Sequence, residues 1–270
     1  MISDKSSTET LARERTHHDQ WAADINLNNV LVRESFEAST APENRFILKN
    51  LQNLEGKKLL DLGCGAGENS VYFALKGANC VATDYSFGML ETAQQLAEKY
   101  GVTIETRCVN AEEIDFPDDI FDIVYASNLL HHVRPETALK EMHRVCKPGG
   151  KVCFWDPLKH NPVINIYRKM ASDVRSDDET PLSIGFIKNV RSLFTEVNYE
   201  TFWIFTLWIF LRFYLIERVS PNEERYWKKI IYEEPRLRRT YQFLEKFDNF
   251  FKKLPFLERY AWNIAVVATK

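Results

Sequence analysis

The chain has 270 residues, 45 % hydrophobic and 27 % charged, with a formal net charge of −3 and a pI near 6.1. That length suits one large α/β domain or a domain with a sizeable insertion, and the composition excludes a disordered chain. The charge balance leaves no electrostatic footprint for nucleic acid, so no nucleic-acid partner is expected.

The N-terminal stretch MISDKSSTETLARERTHHDQW is polar and lacks the apolar region of a secretory signal. Residues 17–54 read as helical pieces, with Pro42 at a first helical position after Thr40-Ala41. From residue 57 short apolar runs alternate with helical periods. Strands are predicted at Lys58–Leu62, Asn79–Asp84, Thr103–Val109, Phe121–Ala126 and Lys151–Trp155. Helices are predicted at Asn69–Lys76, Met89–Tyr100 and Pro135–Val145, with Gly77, Gly101 and Lys147-Pro148-Gly149-Gly150 as their stops. This alternation implies βαβ units and a parallel sheet with helices on both faces.

After Asp156-Pro157 the alternation fades. Residues 201–216, TFWIFTLWIFLRFYLI, are the most apolar stretch. They fall short of the roughly 20 residues of a membrane span, and Arg212 interrupts them. Read as a helix apolar on all faces, the run either covers the sheet, lines a pocket for a bulky apolar substrate, or lies in a membrane interface. Basic residues over 225–239 favour the interface, and Glu223, Glu224, Glu233 and Glu234 oppose it. Residues 261–268 can return as a late strand. The expected division is an N-terminal helical cover over 1–54, a core over 55–157, an aromatic-rich helical substrate cap over 158–256, and a C-terminal strand over 257–270.

Five cysteines, odd in number and without a CxxC pair, point to a reduced, cytoplasmic chain with no metal site.

The densest signal is Leu59-Leu60-Asp61-Leu62-Gly63-Cys64-Gly65-Ala66-Gly67-Glu68, a buried strand running through a glycine loop into a helix. A dinucleotide loop needs G-x-G-x-x-G, and the third glycine position counted from Gly63 is Glu68. The pattern is D-x-G-x-G-x-G, which brings backbone close to a ligand without aiming a helix start at a pyrophosphate. A second acid, Asp84, closes the second strand, where a carboxylate can take both hydroxyls of a ribose.

On these residues the chain resembles the class I S-adenosylmethionine (SAM)-dependent methyltransferases, over roughly residues 36–157. The resemblance implies a doubly wound, mostly parallel seven-stranded Rossmann-like sheet with a helical cap after the fifth strand. It implies SAM as cofactor and S-adenosylhomocysteine as product. Asp61, Gly63, Cys64, Gly65, Gly67, Asp84, Tyr85 and Met89 are then cofactor-binding candidates. So are Asn110-Ala111-Glu112, at the adenine edge in the family, and Ser127-Asn128 at the end of the fourth strand, beside the methionine part. Arg144 to Gly150 resembles the family's structural helix-to-strand turn.

Methyl transfer needs an aligned acceptor and sometimes a base. His131 and His132 follow the fourth strand and are the candidates, since histidine titrates near neutral pH. Trp21, Tyr167, Arg168 and Arg175 are candidates on the substrate side. The expected acceptor is a small, apolar, aromatic or lipid-like molecule, with a peripheral membrane contact through 201–216. A non-catalytic SAM sensor or scaffold and a protein methyltransferase are the alternatives. A nicotinamide oxidoreductase conflicts with Glu68. A nucleic-acid methyltransferase conflicts with the absence of an N/D-P-P-Y/F motif, where the chain has Ser127-Asn128-Leu129-Leu130.

Overall fold

The computed structural model describes residues 15–171, 179–252, 254 and 256–270. The candidate Arg175 lies outside them.

Residues 15–23 form helix α1. Two short helices follow, α2 (Glu34–Glu37) and α3 (Pro42–Leu51), the latter with Ala41 at its N-cap and Pro42 at its first position. The core then alternates as predicted: β1 (Lys58–Leu62), α4 (Glu68–Leu75), β2 (Asn79–Asp84), α5 (Phe87–Tyr100), β3 (Glu105–Cys108), β4 (Phe121–Ser127), α6 (Pro135–Val145) and β5 (Cys146–Pro157). The rest comprises α7 (Pro162–Met170), α8 (Ile187–Leu193), β6 (Glu196–Phe202), α9 (Trp208–Leu215), α10 (Tyr226–Tyr232), α11 (Glu234–Phe251) and β7 (Asn263–Thr269).

The strands form one sheet in the order β3-β2-β1-β4-β5-β7-β6. β1 to β5 pair in parallel, and β7 runs antiparallel between β5 and β6. The chain winds outward from β1 in one direction, then restarts at β4 in the other, so the topological switch falls between β1 and β4. Open α/β sheets bind ligands in the crevice at the carboxyl ends of such strands. The glycine loop leaves the end of β1, and Ser127-Asn128 ends β4 at that crevice.

Apolar layers cover both faces. One gathers Val124, Phe121, Leu139 and Met142 under α6 and α8. The other gathers Phe36, Tyr72, Phe73 and Tyr125 under α2, α3 and α4, with the Phe36 and Tyr72 rings stacked at 4.1 Å. A third cluster, including Tyr167, Trp203, Phe210, Phe213, Tyr226 and Tyr241, lies within the 158–256 segment.

The 201–216 run is not one helix. Thr201 and Phe202 end β6, Trp203 turns the chain at φ +70°, and the helix begins only at Trp208. The cause is distant in sequence. Asp248, on α11, accepts the Ile204 and Phe205 N–H groups at 3.2 and 2.5 Å and the Thr206 hydroxyl at 2.6 Å. α9 is also not apolar-buried all round: Ile209, Phe210 and Phe213 face inward, whereas Trp208, Tyr214, Leu215 and Ile216 are exposed. The stretch expected to be a helical cap therefore contributes a strand to the sheet edge.

Candidate active site

One cavity of about 330 Å³ opens at the switch point, a size at the lower end of small-molecule sites. The glycine loop forms its floor. Gly65 (φ +53°) lines the cavity and has open space where a Cβ would stand, so ligand can approach the backbone there. Gly63, Cys64, Ala66 and Glu68 line it too. Burial pushes the Cys64 thiol well up, so it stays a neutral wall rather than a nucleophile.

Gly67 serves differently. At φ +87°, its absent Cβ would meet Ala93 Cβ at 2.6 Å, so it lets the loop close on α5 and does not line the cavity. Asp61 is likewise beneath the loop. It accepts the Ser70 hydroxyl at 2.5 Å on Oδ2, while burial and the neighbouring Glu68 and Asp84 push its carboxyl up to about 7. Among the described residues, the buried oxygens Asp61 Oδ1 and Glu68 Oε2 have no hydrogen-bond partner.

Asp84, on the rim, accepts the Gly65 N–H on Oδ2 and the Ser86 N–H on Oδ1, both at 2.9 Å. A carboxylate has about four acceptor sites, so two remain for a ligand. Tyr85, Asn110, Ala111, Ser127 and Asn128 line the same cavity. Met89 and Glu112 do not. Met89 is fully buried, and its N–H donates to Ser86 Oγ as part of the α5 N-cap; Glu112 accepts the backbone and guanidinium N–H groups of Arg134 at 2.7 and 2.6 Å.

His131 and His132 both line the cavity, in a turn spanning Leu130–His132, but their supports differ. His131 is buried, with Nδ1 2.6 Å from Asp156 Oδ1. Asp156 also accepts the Leu130 and His131 N–H groups, and its burial pushes the carboxyl up to about 7. His132 is half-exposed, and its ring lies 6.0 Å from that of His18.

The roof comes from α1, α7 and α10. Asp19 ties α1 to the rim by accepting the Ser86 hydroxyl at 2.5 Å and the Gly88 N–H at 3.1 Å. Trp21, Tyr167 and Arg168, the substrate-side candidates, line the cavity. The Arg225 guanidinium stands 4.1 Å from the Trp21 ring centroid and Lys228 Nζ 5.3 Å. Burial lowers both cations' pKa values, and Glu68 pulls that of Lys228 back up.

Several lining residues are not among the site candidates the sequence offers: Glu179 and Asn263, together with Arg225 and Lys228 of the basic 225–239 segment, Trp203 of the aromatic run, and Glu43. Glu43 Oε1 accepts the Trp203 indole N–H and the Asn263 amide, each at 2.6 Å, and burial raises the carboxyl to about 7. Asp156 could have been found, since it ends a strand as Asp84 does.

A mostly parallel seven-stranded sheet with a glycine loop and two strand-end acids at its switch point is a Rossmann-like fold of the kind found in class I methyltransferases. Residues 60–154 match the family described as a methyltransferase domain. The ubiquinone biosynthesis O-methyltransferase of Pseudomonas syringae pv. tomato is 36 % identical over 124 residues, covering 45 % of this chain and 53 % of that protein. The protein of the same name from Pseudomonas putida strain F1 is 37 % identical over 113 residues, covering 41 % and 48 %. The match thus spans about half the length of these relatives. Among solved structures, Haemonchus contortus phosphoethanolamine N-methyltransferase 2 in complex with S-adenosyl-L-methionine superposes with a TM-score of 0.55 at 20 % identity, over 84 % of this chain and 52 % of that one. The [4+2]-cyclase SpnF gives 0.55 at 19 % identity, over 85 % and 82 %. A cyclase on the same fold means that reaction must be argued from the site.

Proposed function

We propose that this protein is a SAM-dependent methyltransferase acting on an oxygen of a small, largely apolar acceptor. The observation that carries it is the acid-flanked glycine loop on the floor of an aromatic-roofed cavity. Asp61, Glu68 and Asp84 surround the loop with carboxylates, which would repel a pyrophosphate but suit a cofactor carrying an ammonium and a sulfonium. The unpartnered Glu68 Oε2 on the cavity wall gives the ammonium an acceptor, with Asp61 adding its carboxyl from beneath the loop; the two spare acceptor sites of Asp84 suit the ribose. Asn110 and Ala111 would border the adenine, and Ser127 and Asn128 the methionine part.

SAM supplies a methyl group already activated on sulfur. The chain's task is to align the acceptor and keep water out, and orientation alone is worth about 7–11 kcal/mol. Trp21, Tyr167, Trp203 and Ile230 supply apolar walls; Arg168, Arg225 and Lys228 favour an acceptor with one polar or anionic end. His132 is assigned as the base that takes the acceptor's proton, a role worth about 10²–10⁴-fold. His131 is assigned to positioning, because Asp156 holds its ring. The relatives' name, ubiquinone biosynthesis O-methyltransferase, supports a phenolic acceptor.

No described helix is long and apolar enough to cross a membrane. Peripheral contact is favoured by Trp208, Leu215 and Ile216, which are 61, 66 and 75 % exposed on and just after α9. Free thiols throughout fit a reducing, cytoplasmic setting.

Incubation with methyl-labelled SAM and a panel of apolar phenols and alcohols tests the reading. Labelled ether product is expected. SAM binding without product from any acceptor would instead support a SAM-binding sensor. For the membrane contact, the Trp208→Ser, Leu215→Ser, Ile216→Ser triple variant should lose flotation with anionic vesicles; flotation equal to wild type would remove that role from α9.

A further inference from the structure

We infer that His131, His132 and Glu179 bind one divalent transition-metal cation in the cavity wall. Cysteine spacing gave no hint of a metal, because these ligands come from two separate stretches and no sequence motif joins them. In the fold, each offers a ligand atom, and those atoms lie within 4.8 Å of one another. Metal–ligand bonds of about 2.0–2.2 Å place ligand atoms roughly 3–4.4 Å apart, so small side-chain rotations complete the site.

The backbone fixes the ligands. Thr180 donates its N–H to the His131 carbonyl at 2.7 Å, and Leu182 donates to the Pro157 carbonyl at 2.9 Å, which pins the Glu179 stretch beside the histidine turn. The surroundings also suit an ion. His131 Nδ1 lies 2.6 Å from the fully buried Asp156, so Nε2 is the ring atom the site assigns to the metal. A carboxylate behind a ligating imidazole is the arrangement that orients and strengthens metal-bound histidines. Two imidazoles and one carboxylate favour Zn²⁺, Co²⁺ or Fe²⁺ over the all-oxygen preferences of Mg²⁺ and Ca²⁺. All three ligands line the cavity, so the remaining coordination positions open toward the acceptor. A hydroxyl bound there would ionise more readily, as metal-bound water does, so in the metal-loaded protein the cation takes over from His132 the task of easing the acceptor's proton loss.

Cation binding needs no methyl transfer, so it is tested apart from the proposed activity. Metal-stripped protein is titrated with Co²⁺ followed by visible absorption, and with Zn²⁺ by calorimetry. The expected result is one ion per chain, with a d–d band for Co²⁺. Glu179→Ala and His132→Ala should each weaken binding about tenfold or more, and Asp156→Asn about 10–100-fold, with thermal melts confirming folded variants. Absence of the band and of binding heat, or unchanged affinity in the folded Glu179→Ala variant, would overturn the site and leave the three side chains as a polar cluster only.

Discussion

Replacing Asp84 by alanine should weaken SAM binding by about 10- to 100-fold. The carboxylate accepts two backbone N–H groups, at 2.9 Å each, and thereby shapes the glycine loop and the start of α5. Its remaining acceptor sites are the ones assigned to the ribose. A hydrogen bond to a charged group contributes about 1.5–3 kcal/mol, and each 1.4 kcal/mol is tenfold in affinity. Loss of one ribose bond gives the lower bound; loss of both, with loosening of the loop, exceeds it. The assay is calorimetric titration of wild type and variant with S-adenosylhomocysteine, alongside thermal melts. A folded Asp84→Ala protein with wild-type affinity would refute the ribose assignment and the reasoning from the strand-end acid.

His132→Ala should lower turnover about 10²–10⁴-fold while leaving S-adenosylhomocysteine affinity unchanged; equal losses in both would move His132 into the cofactor shell. Gly67→Ala should destabilise by roughly 2–5 kcal/mol, from a strained φ and the 2.6 Å approach to Ala93 Cβ, and Ala93→Gly in the same chain should restore part of it. No rescue in chemical denaturation would mean the approach is not the cause. Glu43 titrates near 4.5 when unfolded and about 7 when buried, so the native state holds its proton longer. Its contribution is therefore full below about pH 4.5 and lost as pH rises to about 7. Glu43→Gln keeps an acceptor for Trp203 and Asn263 and should stabilise above pH 7 by on the order of 3 kcal/mol. Denaturation at pH 5 and pH 8 checks this; an identical pH difference in wild type and variant would contradict it.

What could be read in advance follows the range of the forces involved. Residues 57–157 were legible because each strand and helix there carries its own period and stop signal, and α6 was foreseen at both ends as Pro135–Val145. Nothing local marks where 201–216 breaks, since the break depends on Asp248, more than forty residues further on, capping the turn. The site divides the same way. Gly63, Gly65, Asp84 and Asn110, grouped by the sequence pattern, all line one cavity because they stand at or just past the carboxyl ends of β1, β2 and β3. Gly67 and Met89 stand in the same motif but do not line the cavity: steric packing against α5 and burial of its first turn claim them. Glu43, Glu179, Arg225 and Lys228 reach the cavity from segments whose approach only tertiary packing determines.

The most direct test of the central claim is parallel calorimetric titration of the full chain with SAM, S-adenosylhomocysteine and NAD. The account predicts micromolar binding of both sulfur cofactors and no heat from NAD. Binding of NAD alone, or of none of the three, would contradict it, because the acid-flanked loop would then not be a SAM site.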